Sequence, residues 1–321
     1  MCCKPFLSID KQIRLLEDRG VKTDSDTAGI LMREGYYSVV NGYKNPFLDS
    51  EKTVAAGDDR YMAGTEFNDL YDLFSFDRAL RLITFRYLIM AEAVAKTAIA
   101  HCFARAHTDP DDYLLQASYC TREEFGEYGK SEEDYTGEVN KLIGILSWRR
   151  EKSATEFIEH YRSDYGKVPI WVLCNDLTFG NMEHFFNLMK PKEKSDVCKM
   201  IATGTGRLGD KLVGYFDVPT ARISLEVLVK FRNICAHDER LYCAHVGDRK
   251  NVNYAKMVWM LERYLTNSDF SSFLDQINDL IGSYNSRNGS LGHILSSLGF
   301  PELIRKIESR IELLEKSSSK E

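Results

Sequence analysis

Apolar residues recur along most of this chain at the three- and four-residue spacing of an amphipathic helix, with little of the alternation that marks a strand. Ile9, Ile13 and Leu16 share one face before Gly20 stops the first helix. Asp24-Ser-Asp-Thr supplies caps for a second short helix, with Ala28, Leu31 and Met32 expected to face inward. Residues 36–43 mix β-branched and aromatic side chains and resemble a strand, yet one too isolated for a sheet. Residues 49–65, with Ala-Ala-Gly-Asp-Asp inside them, read as a loop. From residue 67 to about 106 the pattern predicts a long helix or two; Asp77 and Arg81 interrupt an apolar surface built from Leu70, Leu73, Phe74 and Leu80. Residues 108–135 are acidic and dotted with Gly and Tyr, the pattern of a mobile excursion. Further helices are predicted near 136–149, 153–163, 180–189, 193–203 and 219–237. After Asp248, apolar series through Val258, Leu261 and Leu265, through Phe273, Ile277, Leu280 and Ile281, and through Ile304, Ile307 and Ile311 predict two or three more. The Lys-Ser-Ser-Ser-Lys-Glu tail is expected to be disordered. No internal repeat and no parallel sheet is indicated. The predicted class is all-α.

At 321 residues, 44% of them hydrophobic, the chain can bury a substantial core in one large or two modest domains. It holds no apolar run of membrane-spanning length, and Met1-Cys-Cys-Lys-Pro lacks the apolar core of a signal peptide. The eight Cys show no framework spacing, which suits free thiols and a cytoplasmic location. The net charge of −6 weighs against a protein built to coat nucleic acid. Its distribution changes that picture. Acid concentrates over residues 109–138, Glu127 included, where the only cations are Arg122 and Lys130. Bases gather at Arg78, Arg81 and Arg86, at Lys141, Arg149, Arg150 and Lys152, and at Arg240, Arg249, Lys250 and Lys256. A basic phosphate groove with an acidic outer face fits this polarity, and so do solvated helix faces throughout.

One stretch carries reactive chemistry. Phe231-Arg-Asn-Ile-Cys-Ala-His237-Asp-Glu-Arg240-Leu-Tyr242 contains an Arg-x-x-x-x-His core. Arg232 is a permanently charged, planar phosphate ligand, and His237 takes and gives a proton near neutral pH. Together they suit attack of an RNA 2′-hydroxyl on the adjacent phosphate, with no metal needed and DNA spared. On a helix at about 100° per residue, Ile223, Val227, Phe231 and Ile234, flanked by Leu228 and Cys235, form the buried stripe. Arg232 and His237 then lie past opposite edges of it, roughly 140° apart. Asn233 shares a face with His237 and can hold one ring nitrogen. Two arrangements bring Arg232 and His237 onto one phosphate: the helix ends at His237, or a second subunit packs across a two-fold axis.

Blander readings exist for each group. Arg232 can pair with Glu226 or Asp238 while His237 caps the helix C-terminus. Cys235-Ala-His237 and Cys243-Ala-His245 are zinc-ligand types, but Cys235 and His237 point apart on a helix and the intervening loop is short for zinc. The second Arg-x-x-x-x-His, Arg240 to His245, reads as an arginine bracing the first motif plus an incidental histidine. Tyr36, Tyr37 and Tyr43 can stack on bases, with core packing the favoured role. Trp171 is expected in the core, and His160 and His184 as packing histidines; His101 and His107 carry no signal. Gly204-Thr-Gly-Arg-Leu-Gly209 reads as a connector, because no strand precedes it.

The motif resembles the RN-x-CAH-x-x-RL signature of the Abi-like abortive-infection proteins of the AbiD/AbiF type, a branch of the HEPN superfamily. Other blocks are similar and in the family's order: Gln12-Ile-Arg-Leu-Leu-Glu-Asp-Arg-Gly20, Gly35-Tyr-Tyr-Ser-Val-Val-Asn-Gly-Tyr43 with Pro46-Phe47, and the run from Phe67 to Arg81. Glu156-Phe157 with His160-Tyr161, then Pro169-Ile-Trp-Val172 with Leu177-Thr-Phe-Gly180, complete the series, which covers roughly residues 9 to 245. The resemblance implies a HEPN-like helical bundle with added N- and C-terminal helices. It would form a single domain over 1–321: a tyrosine-rich lobe (1–66), a core with the motif (67–245) and C-terminal helices (246–321). It also implies a metal-independent endoribonuclease in antiphage defence, with Arg232, Asn233 and His237 catalytic. Arg240, Tyr36, Tyr43, Arg149 and Arg150 are the expected RNA contacts. No cofactor or metal is expected. The expected partners are RNA, as substrate and as a structured noncoding RNA, and a second copy of the chain, without membrane or DNA. The competing reading is a non-catalytic RNA-binding module whose Arg232 and His237 grip phosphate.

Overall fold

The structure, a computed structural model, describes residues 6–125, 131–210, 213–247, 249–287, 294 and 300–318. Helix accounts for 74% of the chain, about twice the ~30–35% of ordinary globular proteins, so the all-α class holds. Among the described residues strand is confined to one antiparallel hairpin, β1 (His245–Val246) with β2 (Arg249–Asn253). Among the described residues no helix is long and apolar enough to cross a membrane. The leader Met1-Cys-Cys-Lys-Pro, Glu127 and Lys130 of the acidic segment, Asp248, tail residues 319–321 and the side chain of Lys250 lie outside the described set.

Two compact units interleave along the sequence. The first gathers residues 1–83, 238–243 and 274–321. Its helices are α1 (Ile9–Asp18), α2 (Thr27–Glu34), α3 (Ser50–Ala56), the start of α4 (Phe67–Ala106), the end of α13 (Asn267–Arg287) and α14 (Phe300–Ser318). The expected loop at 49–65 thus contains α3. Asp49 caps it by accepting from the Lys52 amide at 3.1 Å, and Gly57 ends it at φ 61°. No α3 residue is buried, so it lacks the apolar stripe that would have announced it. The strand-like block is a wide helical turn over Tyr37–Asn41 that turns both Val39 and Val40 inward, which strand alternation could not do. In α2 the buried side chains are Thr27, Ile30 and Leu31, while Met32 faces solvent. The tail expected to be disordered is helical as far as Ser318. Phe76 of α4 packs edge-on against Tyr284 at 5.3 Å and against Phe300 at 6.2 Å, tying α4 to α13 and α14.

Asp77 organises this unit. It is 0% exposed and accepts from the Tyr43 hydroxyl at 2.7 Å, Arg81 Nη1 at 2.6 Å and the backbone amides of Leu241 and Tyr242 at 3.1 and 2.6 Å. Burial pushes its carboxyl above the ordinary range, and the Tyr43 hydroxyl, Arg81 and the two amides oppose that shift. Arg81 Nη2 continues to Asp238, and Arg240 Nη1 donates to the Gly42 carbonyl at 2.9 Å. Residues 238–242, which follow His237 directly, are therefore bound to α4 by buried polar contacts with Asp77 and to the tyrosine block by an exposed one. Asp77→Ala would leave two buried amides without acceptors and Arg81 without its buried counter-charge, a loss of about 3–5 kcal/mol. Urea denaturation is expected to show that loss, with a smaller one for Asp77→Asn, which keeps one acceptor oxygen.

The second unit holds residues 84–237 and 244–273. It contains the rest of α4, α5 (Arg122–Phe125), α6 (Glu132–Lys152), α7 (Glu156–Tyr165), α8 (Ile170–Leu173) and α9 (Phe179–Leu188). After these come α10 (Pro191–Gly204), α11 (Val218–Ala236), the hairpin, α12 (Tyr254–Leu261) and the start of α13. The acidic segment is packed over 112–125: Tyr113 donates to the Val168 carbonyl at 2.8 Å, and the Cys120 amide to that of Leu188 at 2.9 Å. Its aromatic residues, not its charges, decide its behaviour, since Tyr113 and Tyr119 are fully buried. Phe103 of α4 meets Phe185 of α9 at 4.9 Å, and α9, α10 and α12 all pack on α11. The six described cysteines are free.

Candidate functional site

The motif sits at the C-terminal end of α11. Asp217 starts that helix by accepting from the Thr220 amide at 2.9 Å, with Pro219 in the first turn. Ala221, Ser224, Leu225, Val227, Leu228, Phe231 and Ile234 are its buried side chains. The stripe is therefore centred nearer Leu225 than expected, and Ile223 is exposed. The helix ends at Ala236. His237 is its cap, with φ −101° and its amide bonded to the Asn233 carbonyl at 2.9 Å. Asp238 follows at φ 58°, the left-handed conformation that terminates helices and that glycine usually supplies. Its carboxylate pairs with Arg81.

Arg232 is 29% exposed at its side chain, and its Nε donates to Glu92 Oε2 at 2.9 Å. Glu92, buried on α4, holds Lys96 Nζ on its other oxygen at 2.8 Å, and Lys96 also donates to the Leu177 carbonyl at 2.6 Å. Neither carboxylate expected as the arginine's alternative partner takes that place: Glu226 pairs with Arg249 and Asp238 with Arg81. Two cations against one carboxylate leave this cluster net positive. The geometry points both Nη groups of Arg232 away from an existing bond, since neither has a hydrogen-bond partner among the described residues. A guanidinium fixed through Nε offers its Nη edge to an anion such as phosphate.

His237 is exposed, and its imidazole has no hydrogen-bond partner among the described residues. Asn233 is exposed as well and does not bond the ring, so the expected Asn233–His237 contact is absent. Of the expected RNA contacts, Tyr43 is 3% exposed, with its ring stacked on Tyr242 at 5.9 Å and edge-on to Phe74 at 5.5 Å. No face of it remains for a base, so its role is packing. Tyr36 is half-buried and accepts from Arg19 at 3.3 Å. Arg149 reaches Asp176 at 3.4 Å and lies over the exposed Trp148 ring at 5.2 Å, while Arg150 pairs with Asp111 at 3.1 Å. Arg78 likewise pairs with Glu34 at 2.8 Å, so Arg78, Arg149 and Arg150 of the expected groove are each matched by a carboxylate. Arg240 braces the motif loop, as read from the sequence. Trp171, expected in the core, is 52% exposed. His160 is exposed beside Asp164, and His184 lies 3.1 Å from Glu138. His245 bonds the Gly247 carbonyl through Nδ1 at 2.6 Å, and among the described residues no group of three His, Cys, Asp or Glu gathers that could hold a metal. Sequence reasoning missed Glu92 and Lys96, although an acid and a base at i, i+4 inside an alanine-rich apolar run were a visible signal.

The fold and this site define an all-α protein that presents an oriented arginine and a free histidine at one helix end. The model of the Abi-like protein family matches residues 29–243, and the chain belongs to that family of abortive-infection proteins. Comparisons with curated proteins and with solved structures give no match.

The Arg232–Glu92 bond has a measurable strength. A double-mutant cycle of Arg232→Ala and Glu92→Gln is expected to return a coupling of about 0.5–3 kcal/mol in denaturation experiments. A coupling indistinguishable from zero would mean that Glu92 does not hold the guanidinium in solution.

Proposed function

We propose that this Abi-like protein is a HEPN-superfamily ribonuclease of the AbiD/AbiF type, which cuts RNA without a metal as its means of abortive infection. The observation that carries this reading is the pairing of roles at the end of α11. Arg232 is anchored through Nε by buried Glu92 with its Nη edge unpaired, and His237 is exposed with both ring nitrogens uncommitted.

The chemistry follows from those two states. His237 takes the proton of an RNA 2′-hydroxyl as that oxygen attacks the adjacent phosphorus, a contribution of roughly 10²–10⁴-fold for positioned acid–base groups. The 5′-oxygen of the next nucleotide leaves as the P–O bond breaks, and a proton is returned to it. Arg232 donates to the non-bridging oxygens, whose negative charge rises in the phosphorane. The products are a 2′,3′-cyclic phosphate and a 5′-hydroxyl.

Arg232 and His237 leave the helix in different directions, and the helix end at His237 gives the imidazole room to turn. A second copy of the chain, related by a two-fold axis, supplies the other route to a complete centre. In that arrangement the Arg232 of one protomer works with the His237 of its partner. One observation favours the competing reading, phosphate binding without cleavage: no neighbouring group orients the His237 ring, and oriented bases are the more effective catalysts.

Incubation of the purified protein with single-stranded RNA in excess EDTA separates these readings. Cleavage is expected to persist, to leave 2′,3′-cyclic phosphate ends, and to be lost in His237→Ala. The melting temperature of that variant should be unchanged, because the exposed ring makes no bond. Fragments ending in a 3′-hydroxyl, or activity abolished by the chelator, would point to metal-ion catalysis instead. Tight RNA binding with no cleavage would establish the module.

A further inference from the structure

Two helices of this chain end on a glycine in the left-handed conformation: Gly57 closes α3 at φ 61° and Gly166 closes α7 at φ 69°. After α11 the same turn is made by an aspartate. Asp238, at φ 58°, is the one non-glycine residue with positive φ among the described residues. The conformation crowds any Cβ, and aspartate tolerates it better than most residues without preferring it. A backbone outlier of that kind persists only where surrounding contacts hold it.

Those contacts come from one buried side chain. Arg81 sends Nη2 to the Asp238 carboxylate and Nη1 to the Glu239 carbonyl at 3.3 Å, so it grips the two residues that follow His237. The same Nη1 meets Asp77 at 2.6 Å and the Tyr43 hydroxyl at 3.1 Å. Those buried contacts fix the guanidinium, which cannot follow a moving carboxylate as an exposed partner would. The Asp238 side chain is 69% exposed, so packing does not explain its place. Glycine would make the left-handed turn more readily and would give Nη2 of Arg81 no carboxylate to hold. What the aspartate adds is the anchor.

We infer that Asp238 is a positioning residue for His237: its carboxylate, clamped on Arg81, fixes where α11 stops and so where the imidazole leaves the backbone. The hold acts on the main chain and touches neither ring nitrogen. The His237 amide donates to the Asn233 carbonyl at 2.9 Å. That is the last helical bond of α11, and the first to open if the chain beyond it comes loose. For catalysis the inference rests on the ribonuclease reading, in which a displacement of about 1 Å at a reacting group costs on the order of 10²-fold in rate.

Two variants of this exposed residue test the inference. Asp238→Gly removes the anchor and keeps the turn. Asp238→Asn keeps both, since asparagine tolerates the turn and its Oδ1 still accepts from Arg81, but it drops the charge beside His237. Amide hydrogen exchange of the full-length protein gives a readout independent of RNA. The His237 amide is expected to exchange at least about tenfold faster in Asp238→Gly than in wild type, and within about threefold of wild type in Asp238→Asn. The Leu228 amide, in the middle of α11, should be unchanged in both. Kinetics on single-stranded RNA in EDTA should follow: kcat lower by about tenfold or more in Asp238→Gly with KM within about twofold, and most activity kept in Asp238→Asn. Unchanged His237 exchange or full kcat in Asp238→Gly would overturn the inference. So would an asparagine variant as impaired as the glycine one, the mark of a charge effect, or exchange that rises equally at Leu228, the mark of lost global stability. If the wild type cuts no RNA, the ribonuclease reading falls, and exchange alone decides whether Asp238 holds the helix end.

Discussion

A fully buried carboxylate, Asp77, holds together the parts of the chain that surround the motif in sequence. Its oxygens accept from Tyr43, Arg81 and the amides of Leu241 and Tyr242, which brings the tyrosine block, α4 and the segment after His237 into one polar knot. A buried anion is unfavourable unless its acceptor capacity is filled, and here four groups fill it. The consequence reaches the helix end. The chain cannot continue α11 through residues 241 and 242 while their amides serve Asp77, and Asp238 adopts its left-handed conformation with its carboxylate on Arg81. His237 is left as the cap of the helix, exposed to solvent.

Glu92 plays the parallel part for the arginine. In water a guanidinium pairs weakly with a carboxylate, because the attraction at high dielectric barely exceeds the entropy lost. Glu92 is buried, already carries Lys96, and meets only the Nε side of Arg232. The bond therefore fixes direction while the net charge of the cluster remains positive. Orientation without neutralisation is what a phosphate ligand requires, and it distinguishes Arg232 from Arg78, Arg81, Arg150 and Arg249, whose charges are matched by carboxylates.

Much of this was legible in the chain. Helices such as α1, α9, α11 and α12 announce themselves because one face is buried and the apolar period survives. α3 did not, because it buries nothing, although Asp49 and Gly57 marked both its ends. The 112–125 segment was hidden by its acidic residues, whereas Tyr113 and Tyr119 decide its packing. Arg232, His237 and the bracing role of Arg240 could be named from the motif alone. The partner of Arg232 could not, since Glu92 lies 140 residues away and nearer carboxylates competed for the assignment. Trp171 shows the opposite failure: a bulky apolar residue in an apolar stretch was assigned to the core, yet the short helix α8 turns it to solvent. Distance along the chain and the direction of a short helix are the quantities that periodicity does not encode.

The central claim is that the nucleophile comes from the RNA itself, with His237 moving its proton and Arg232 receiving the charge. Single-site substitution of 2′-deoxyribose at the nucleotide 5′ to a mapped cut tests this most directly, with the all-RNA oligonucleotide as control and EDTA present throughout. The account predicts that the cut disappears at the substituted position while neighbouring sites in the same oligonucleotide are still cleaved. Cleavage at the deoxy position at an undiminished rate would contradict it, because the attacking oxygen would then have to come from water.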